Sequence, residues 1–215
     1  VTVLSTAINR INLGTQVHEY QVNLYDSIEA LKAIATSDIV FGCMDSVDGR
    51  YLLNQLSTFY LLPYFDLGVK LEADGTGGIE QICGTVHYIQ PGKSSLISRG
   101  LYTMEDVRAA GQYRKNPKVY EDLKKHAYIK NVNVNRPAVI SINMQIASHA
   151  ILDLLNRLHS FKTETAASYA MSTIDMSSSY MVNVHESDLP VDTFLKSRVG
   201  RGDITPFLEM PELNQ

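Results

Sequence analysis

Tryptophan is absent from the 215 residues and cysteine occurs only twice, which excludes a disulfide-built scaffold and leaves no pair of C-x-x-C motifs for a four-thiolate zinc site. No stretch approaches eighteen consecutive apolar residues. The first residues also lack the basic, apolar and small-residue succession of a secretory leader, so neither a membrane span nor secretion is expected and the cytoplasm is the default address. Positive charge is not in excess: 19 Lys and Arg against 23 Asp and Glu give a formal net charge of -4. A nucleic-acid partner would need a clustered basic surface. The one basic stretch, residues 115–125, carries Glu121 and Asp122 among its lysines and reads as the solvated face of a short helix. Internal repeats and low-complexity segments are absent as well.

What is present is an ordinary globular composition, 45% hydrophobic, at a length that supports one sizeable core. Val3, Leu4, Ala7, Ile8 and Ile11 keep the spacing of one helix face, and Asn12, Leu13 and Gly14 end it with residues suited to a left-handed cap. Because the chain opens on Val1 already in this periodicity, an upstream portion is expected to be missing. Val17, Tyr20 and Val22 suggest a short strand, and Asp26 or Ser27 the N-cap of a helix bearing Ile28, Leu31 and Ile34.

The run Asp-Ile-Val-Phe-Gly-Cys-Met-Asp, residues 38–45, is nearly continuous in apolar character, as a parallel strand covered on both faces must be. A helix over 48–60 and a second strand around Tyr64–Val69 follow. Strand, helix, strand in this order predicts a crossover in an open sheet whose ligands lie beyond the strand carboxyl ends. Gly75, Gly77 and Gly78 between two alternating runs predict a β-hairpin, hence antiparallel strands. Residues 94–135 are polar and basic, with helical stretches near 104–110 and 119–125. Pro137 stands at a first helical position, and residues 138–158 are apolar on more than one face, which predicts a long central or interface helix. Weak alternation over 169–184 suggests further strands, and the Gly- and Pro-containing end suggests an extended tail. The fold class is therefore α/β: a truncated Rossmann-like open sheet, parallel strands followed by antiparallel ones, with a long helix toward the C-terminus. Residues 1–160 form the main unit, with 94–135 as its crossover region, and 161–215 the C-terminal strands and tail.

One constellation carries chemistry. Asp45 ends a buried strand, Arg50 follows five residues on, Asn54 nine residues on, and the next strand is expected to end in Gly68. This arrangement resembles the ThiF/MoeB/HesA and ubiquitin-activating adenylyltransferase superfamily, where a strand ends in an acidic turn and leads into a helix bearing R-x-x-x-N. The segments Ala-Ile-Asn-Arg-Ile-Asn-Leu-Gly at 7–14, with Leu13 where the family usually has proline, and Gly-Gly-Ile-Glu-Gln-Ile-Cys-Gly-Thr-Val-His-Tyr-Ile-Gln-Pro-Gly at 77–92 are similar to flanking passages of that family.

The resemblance implies attack by the C-terminal carboxylate of a ubiquitin-like or sulfur-carrier protein on the α-phosphate of ATP, giving an acyl-adenylate and pyrophosphate. It implies Asp45 as the catalytic acid that holds Mg²⁺ through ATP, with Met44 and Leu24 as adenine-side neighbours and Arg50 and Asn54 beside the nucleotide. Competing structural roles exist for each. Asp45 could cap the following helix, Arg50 could serve an ion pair, and Asn54 could tie its helix to nearby backbone. Asp66 stays undecided between structure and ligand.

Three departures from the family pattern shape the expectation. The phosphate-cradling glycine loop and its lysine do not occur in this sequence, so the chain by itself is expected to bind ATP poorly and to be inactive. Ser95 and Ser98 stand where zinc-binding members carry a cysteine pair, so no zinc is expected. Residues 94–135 contain no thioester-forming cysteine; Cys43 and Cys83, both in apolar strand-like runs, are expected as buried reduced thiols. His87 and His149 lie in apolar elements and are expected as hydrogen-bonded core residues. A homodimer through the long helix is a further implication of the resemblance. The main alternative is a non-catalytic scaffold or partner subunit that binds a ubiquitin-like protein. A dehydrogenase is the weaker third reading, because the D-x-x-x-x-R-x-x-x-N turn has no role there.

Overall fold

The computed structural model describes residues 1–74, 76, 78–125, 139–166 and 169–213. Five strands, β1 (Val40–Gly42), β2 (Tyr64–Ala73), β3 (Ile79–Ile89), β4 (Tyr169–Asp175) and β5 (Tyr180–His185), form one sheet in sequence order. β1 and β2 pair in parallel, and every later pair is antiparallel, so the mixed open sheet expected from the sequence is the one observed.

Helix α1 spans Thr2–Ile11 and α2 spans Ile28–Ala35, the latter capped by the Ser27 side chain, which accepts from Ala30 N at 3.2 Å. α1 ends on Asn12 in the left-handed conformation (φ 57°), where a short polar side chain is tolerated. The strand expected over 17–22 does not form. Among the described residues no strand lies on the outer side of β1, so these residues have no ladder to complete and stay irregular. Leu24 consequently sits in a short 3-10 turn, Leu24–Asp26, rather than at a strand end.

Helix α3 (Val47–Tyr60) crosses from β1 to β2 and is buried along most of its length. Tyr64 and Phe65, adjacent on β2, point to opposite faces of the sheet and are both fully buried. Tyr64 joins Leu31, Leu52, Leu56, Phe59 and Ile89 on the α3 side. Phe65 joins Val86, Ile146 and Ala150 on the other side, beneath α6 (Ile140–His159). Two covered faces explain why residues 38–45 show no alternation.

Helices α4 (Met104–Lys115) and α5 (Pro117–Lys125) build the described part of the crossover region. A reciprocal capping box between Thr103 and Asp106 starts α4. The expected turn residues Gly75 and Gly77, and the expected helix start at Pro137 and Ala138, lie outside the described residues. α6 begins at Ile140 and is more one-sided than its sequence suggests. Ile142, Ile146 and Ala150 are buried against the sheet, whereas Met144, Ile151, Leu152 and Leu158 are exposed.

The C-terminal stretch expected as an extended tail is docked instead. After α7 (Thr193–Lys196), Gly200 N donates to Thr58 O and the Tyr60 hydroxyl to Gly202 O. Two 3-10 turns then bury Leu208 and Leu213 in the α3-side core. No helix among the described residues is long and apolar enough to cross a membrane.

Close approach at two glycines sets the layer spacing. A Cβ at Gly84 would lie 2.2 Å from Ile146 Cδ1, so β3 accepts α6 only without a side chain there. A Cβ at Gly42 would lie 2.7 Å from the Tyr64 ring and hydroxyl and 2.9 Å from Leu53 Cδ1. Neither neighbour has room to retreat, since both are core residues. Gly42→Ala is expected to lower the unfolding free energy by about 2 kcal/mol, measured as a drop in the urea midpoint at unchanged slope.

Candidate functional site

The crevice expected from the sequence would lie where β1 ends and α3 begins. β1 stops pairing at Gly42, and residues 43–46 form the turn that enters the helix. Ser46 is the N-cap: its hydroxyl accepts from Gly49 N at 3.2 Å. Asp45 therefore does not cap α3. Its residue is exposed, with no hydrogen-bonded or ionic partner among the described residues, so its carboxylate is uncommitted within the chain. Cys43, expected to be buried, is also exposed, because it stands one residue past the last ladder pair. Burial of its sulfur against neighbouring chain, helped by Asp66, nonetheless pushes the thiol up rather than activating it.

Arg50, on the first turns of α3, reaches back across this turn. Its Nε donates to Met44 O at 3.1 Å, one terminal nitrogen pairs with Asp66 Oδ2, and the other donates to Leu67 O at 3.1 Å. A Cβ at Gly68 would lie 3.4 Å from this guanidinium, an ordinary van der Waals approach. The arginine thus takes the ion-pair role and fixes the backbone of Met44, one residue before Asp45.

Asn54, one helical turn on, bonds elsewhere. Its Oδ1 accepts from Leu96 N at 3.3 Å while it is fully buried in the core. It ties α3 to the start of the crossover region. Met44 and Leu24 are both half-buried and pack against the same α3-side core. Asp45, Met44 and Leu24 thus lie at or beside the carboxyl end of β1 with their residues exposed or half-buried, Arg50 ties the turn to β2, and Asn54 is withdrawn into the core.

Asp66 is the buried partner on β2. Tyr64 donates its hydroxyl to Oδ1 at 2.7 Å and Arg50 holds Oδ2. Burial raises the Asp66 carboxyl to about 6, against the opposing pull of Arg50 and of the Tyr64 hydroxyl. Directly opposite in the ladder stands His87, whose ring is pushed down to about 3 by burial and by the positive Arg99 and Arg50. His87 is therefore a neutral core residue contacted by Arg99 at 3.4 Å, as its apolar strand suggests. His149 is partly buried in α6, with burial lowering its ring as well, and its Nε2 has no hydrogen-bond partner.

Ser95 and Ser98 bond each other's backbone, Ser95 N to Ser98 Oγ at 2.9 Å and Ser98 N to Ser95 Oγ at 3.2 Å, and Ser95 also donates to Asp192. Among the described residues no three His, Cys, Asp or Glu side chains gather in a metal-holding group. Cys83 is half-buried on β3, and burial raises its thiol against the opposing influence of Lys70.

The sequence offers little sign of a second set of residues around the crevice. Asp48, 3% exposed, pairs with Arg114 of α4 at 2.9 Å, and Arg114 stacks on Tyr25. These positions are 66 and 23 residues from Asp48, and no local spacing links them.

The ThiF family model matches residues 1–188 of this chain, a span that includes every strand. No curated protein matches. Among solved structures, the chain is similar to E. coli MccB with AMPCPP and selenomethionine MccA, with a TM-score of 0.56 at 12% identity over 86% of this chain and 47% of that one. It is also similar to a second E. coli MccB structure, with a TM-score of 0.53 at 12% identity over 86% and 46%. At this identity the likeness is one of fold, and the chain spans about half the length of these proteins.

The raised Asp66 value lies above the ordinary one near 3.8, so the native state holds this proton more tightly than the unfolded chain. Its contribution to stability is full below about pH 4 and is lost as pH rises through about 6. A carbon-13 titration of the Asp66 carboxyl is expected to show a midpoint near pH 6; a midpoint near 4 would mean that water reaches the carboxyl.

Proposed function

The chain belongs to the ThiF family, and from that premise we propose that it forms part of an ATP-dependent adenylyltransferase activating the C-terminal carboxylate of a ubiquitin-like or sulfur-carrier protein. The observation that carries this reading is the state of Asp45: exposed at the carboxyl end of β1, relieved of helix capping by Ser46, and held in place through Arg50 and the Met44 carbonyl. That a similar fold was crystallised with AMPCPP and MccA supports a nucleotide in the crevice.

Mg²⁺ takes one or two carboxylates together with phosphate oxygens and water, so a single uncommitted carboxylate fits it without a larger acidic cluster. Asp45 is the residue that would hold it, and the ion's chemistry is to offset negative charge at the reacting phosphate. Met44 and Leu24 supply an apolar border suited to a purine ring. Arg50 fixes the turn, and Asn54 fixes the helix behind it. The exposed apolar residues of α6, Met144, Ile151, Leu152 and Leu158, support pairing with a second copy.

ATP–pyrophosphate exchange by the whole polypeptide that carries this sequence, in the presence of candidate carrier proteins, tests the reading. Asp45→Ala is expected to lower exchange about 100-fold, the scale lost with one preorganised electrostatic contact. Exchange unaffected by the change removes Asp45 from the mechanism. A wild type that binds a ubiquitin-like protein but shows no exchange is instead a non-catalytic scaffold.

A further inference from the structure

The two segments that would flank the proposed nucleotide site come from different parts of the chain: the Leu24–Asp26 turn and the stretch 43–48 that leads into α3. A third segment joins them. Arg114, in the last turn of α4, places its guanidinium 3.7 Å from the centre of the Tyr25 ring while its Nε donates to Asp48 Oδ2 at 2.9 Å. Tyr25 closes the triangle by donating its hydroxyl to Asp48 O at 3.1 Å, and Asp48 Oδ1 accepts from Gly49 N at 3.0 Å.

We propose that Arg114 is a positioning residue, a clamp through which the crossover helix sets the separation of the Leu24 wall from the Asp45 turn. The role rests on the adenylation reading for its consequence, but the clamp itself is a matter of geometry. Tyr25 directly follows Leu24, and Asp48 lies three residues after Asp45, so both contacts act one short lever away from the crevice border. A planar guanidinium lays its face on a ring while its edge bonds a carboxylate; an ammonium, a compact point charge, does not reproduce that geometry. The Arg114 side chain is 22% exposed and Asp48 only 5%, so the arginine is the member that can be changed without opening the core. α4 is otherwise anchored by Val107, Ala109 and Ala110 and, in its last turn, by Tyr113 packed edge-on against Tyr120 of α5; Arg114 is the residue of that turn that reaches Tyr25 and Asp48.

Hydrogen exchange on the whole polypeptide without nucleotide tests the clamp directly. In Arg114→Gln the Tyr25 and Gly49 amides are expected to exchange about tenfold faster, with a smaller rise in Arg114→Lys, because a stacked ion pair at a partly exposed site holds local opening by about that factor. Unchanged exchange at both amides overturns the proposal. In pyrophosphate exchange, Arg114→Gln is expected to raise the KM for ATP about tenfold while kcat stays within about threefold, since a wall displaced equally in ground and transition states loses uniform binding. A fall in kcat at unchanged KM indicates general damage and also overturns it. Should Asp45→Ala leave pyrophosphate exchange intact, the adenylation reading fails, and the amide result still decides the clamp.

Discussion

A carboxylate sealed from water must find fixed donors or give up its charge, and Asp66 is fully buried in the middle of the sheet. Tyr64 and Arg50 supply those donors, and the demand propagates outward from them. Arg50 can reach Asp66 only if α3 lies close over β1 and β2, which the missing side chain at Gly42 permits. Once there, its remaining N–H groups bond the carbonyls of Met44 and Leu67. The turn that displays Asp45 is thereby fastened to the core by a charge that cannot leave without stranding its partner. Removing one member of such a pair costs about 3–5 kcal/mol, so the turn that displays Asp45 is held by a contact that is costly to break.

A second buried arginine does comparable work on the other half of the sheet. Arg99, whose side chain is 1% exposed, pairs with Glu186 and donates to Tyr88 O, Ala170 O and Ser94 Oγ. It joins β3, β4, the stretch before α4 and the 3-10 turn after β5. Burial lowers Arg99 to about 10, with Glu186 opposing the shift, which still leaves it charged at neutral pH. The same positive charge helps keep His87 neutral. The two arginines thus divide the tasks: Arg50 secures the crevice, and Arg99 secures the antiparallel strands and the beginning of the crossover region.

The distribution of apolar surface follows from this arrangement. With α3 and the docked C-terminal turns on one face and α6 on the other, the interior of the sheet is closed. The apolar residues left outside include those of α1 and the outer side of α6, such as Val3, Leu4, Met144 and Leu158, and those of β5, such as Tyr180 and Met181. Period alone could not separate these from core positions. Helix α6 is apolar nearly all round, and the packed side is set by Gly84, which admits Ile146.

Sequence by itself determined the elements whose signals are local. Asp26 or Ser27 marks the start of α2, residues 12–14 mark the end of α1, the unalternating run through Val40 and Gly42 is a strand buried on both faces, and Asp45, Arg50 and Asn54 keep a spacing that resembles ThiF-type proteins. What only the tertiary structure decided is everything that depends on partners distant in the chain. Residues 17–22 stay irregular because no strand among the described residues pairs with them, and the end of the chain docks because Leu208 and Leu213 find a place in the core. Arg50 and Asn54 look alike as helix neighbours in sequence, yet one faces Asp66 and the other Leu96. The contact of Arg114 with Tyr25 and Asp48 joins three segments that carry no common pattern. Periodicity and capping express forces acting over one or two turns of chain, whereas burial, ion pairing and strand partnership depend on which distant surfaces meet when the chain closes.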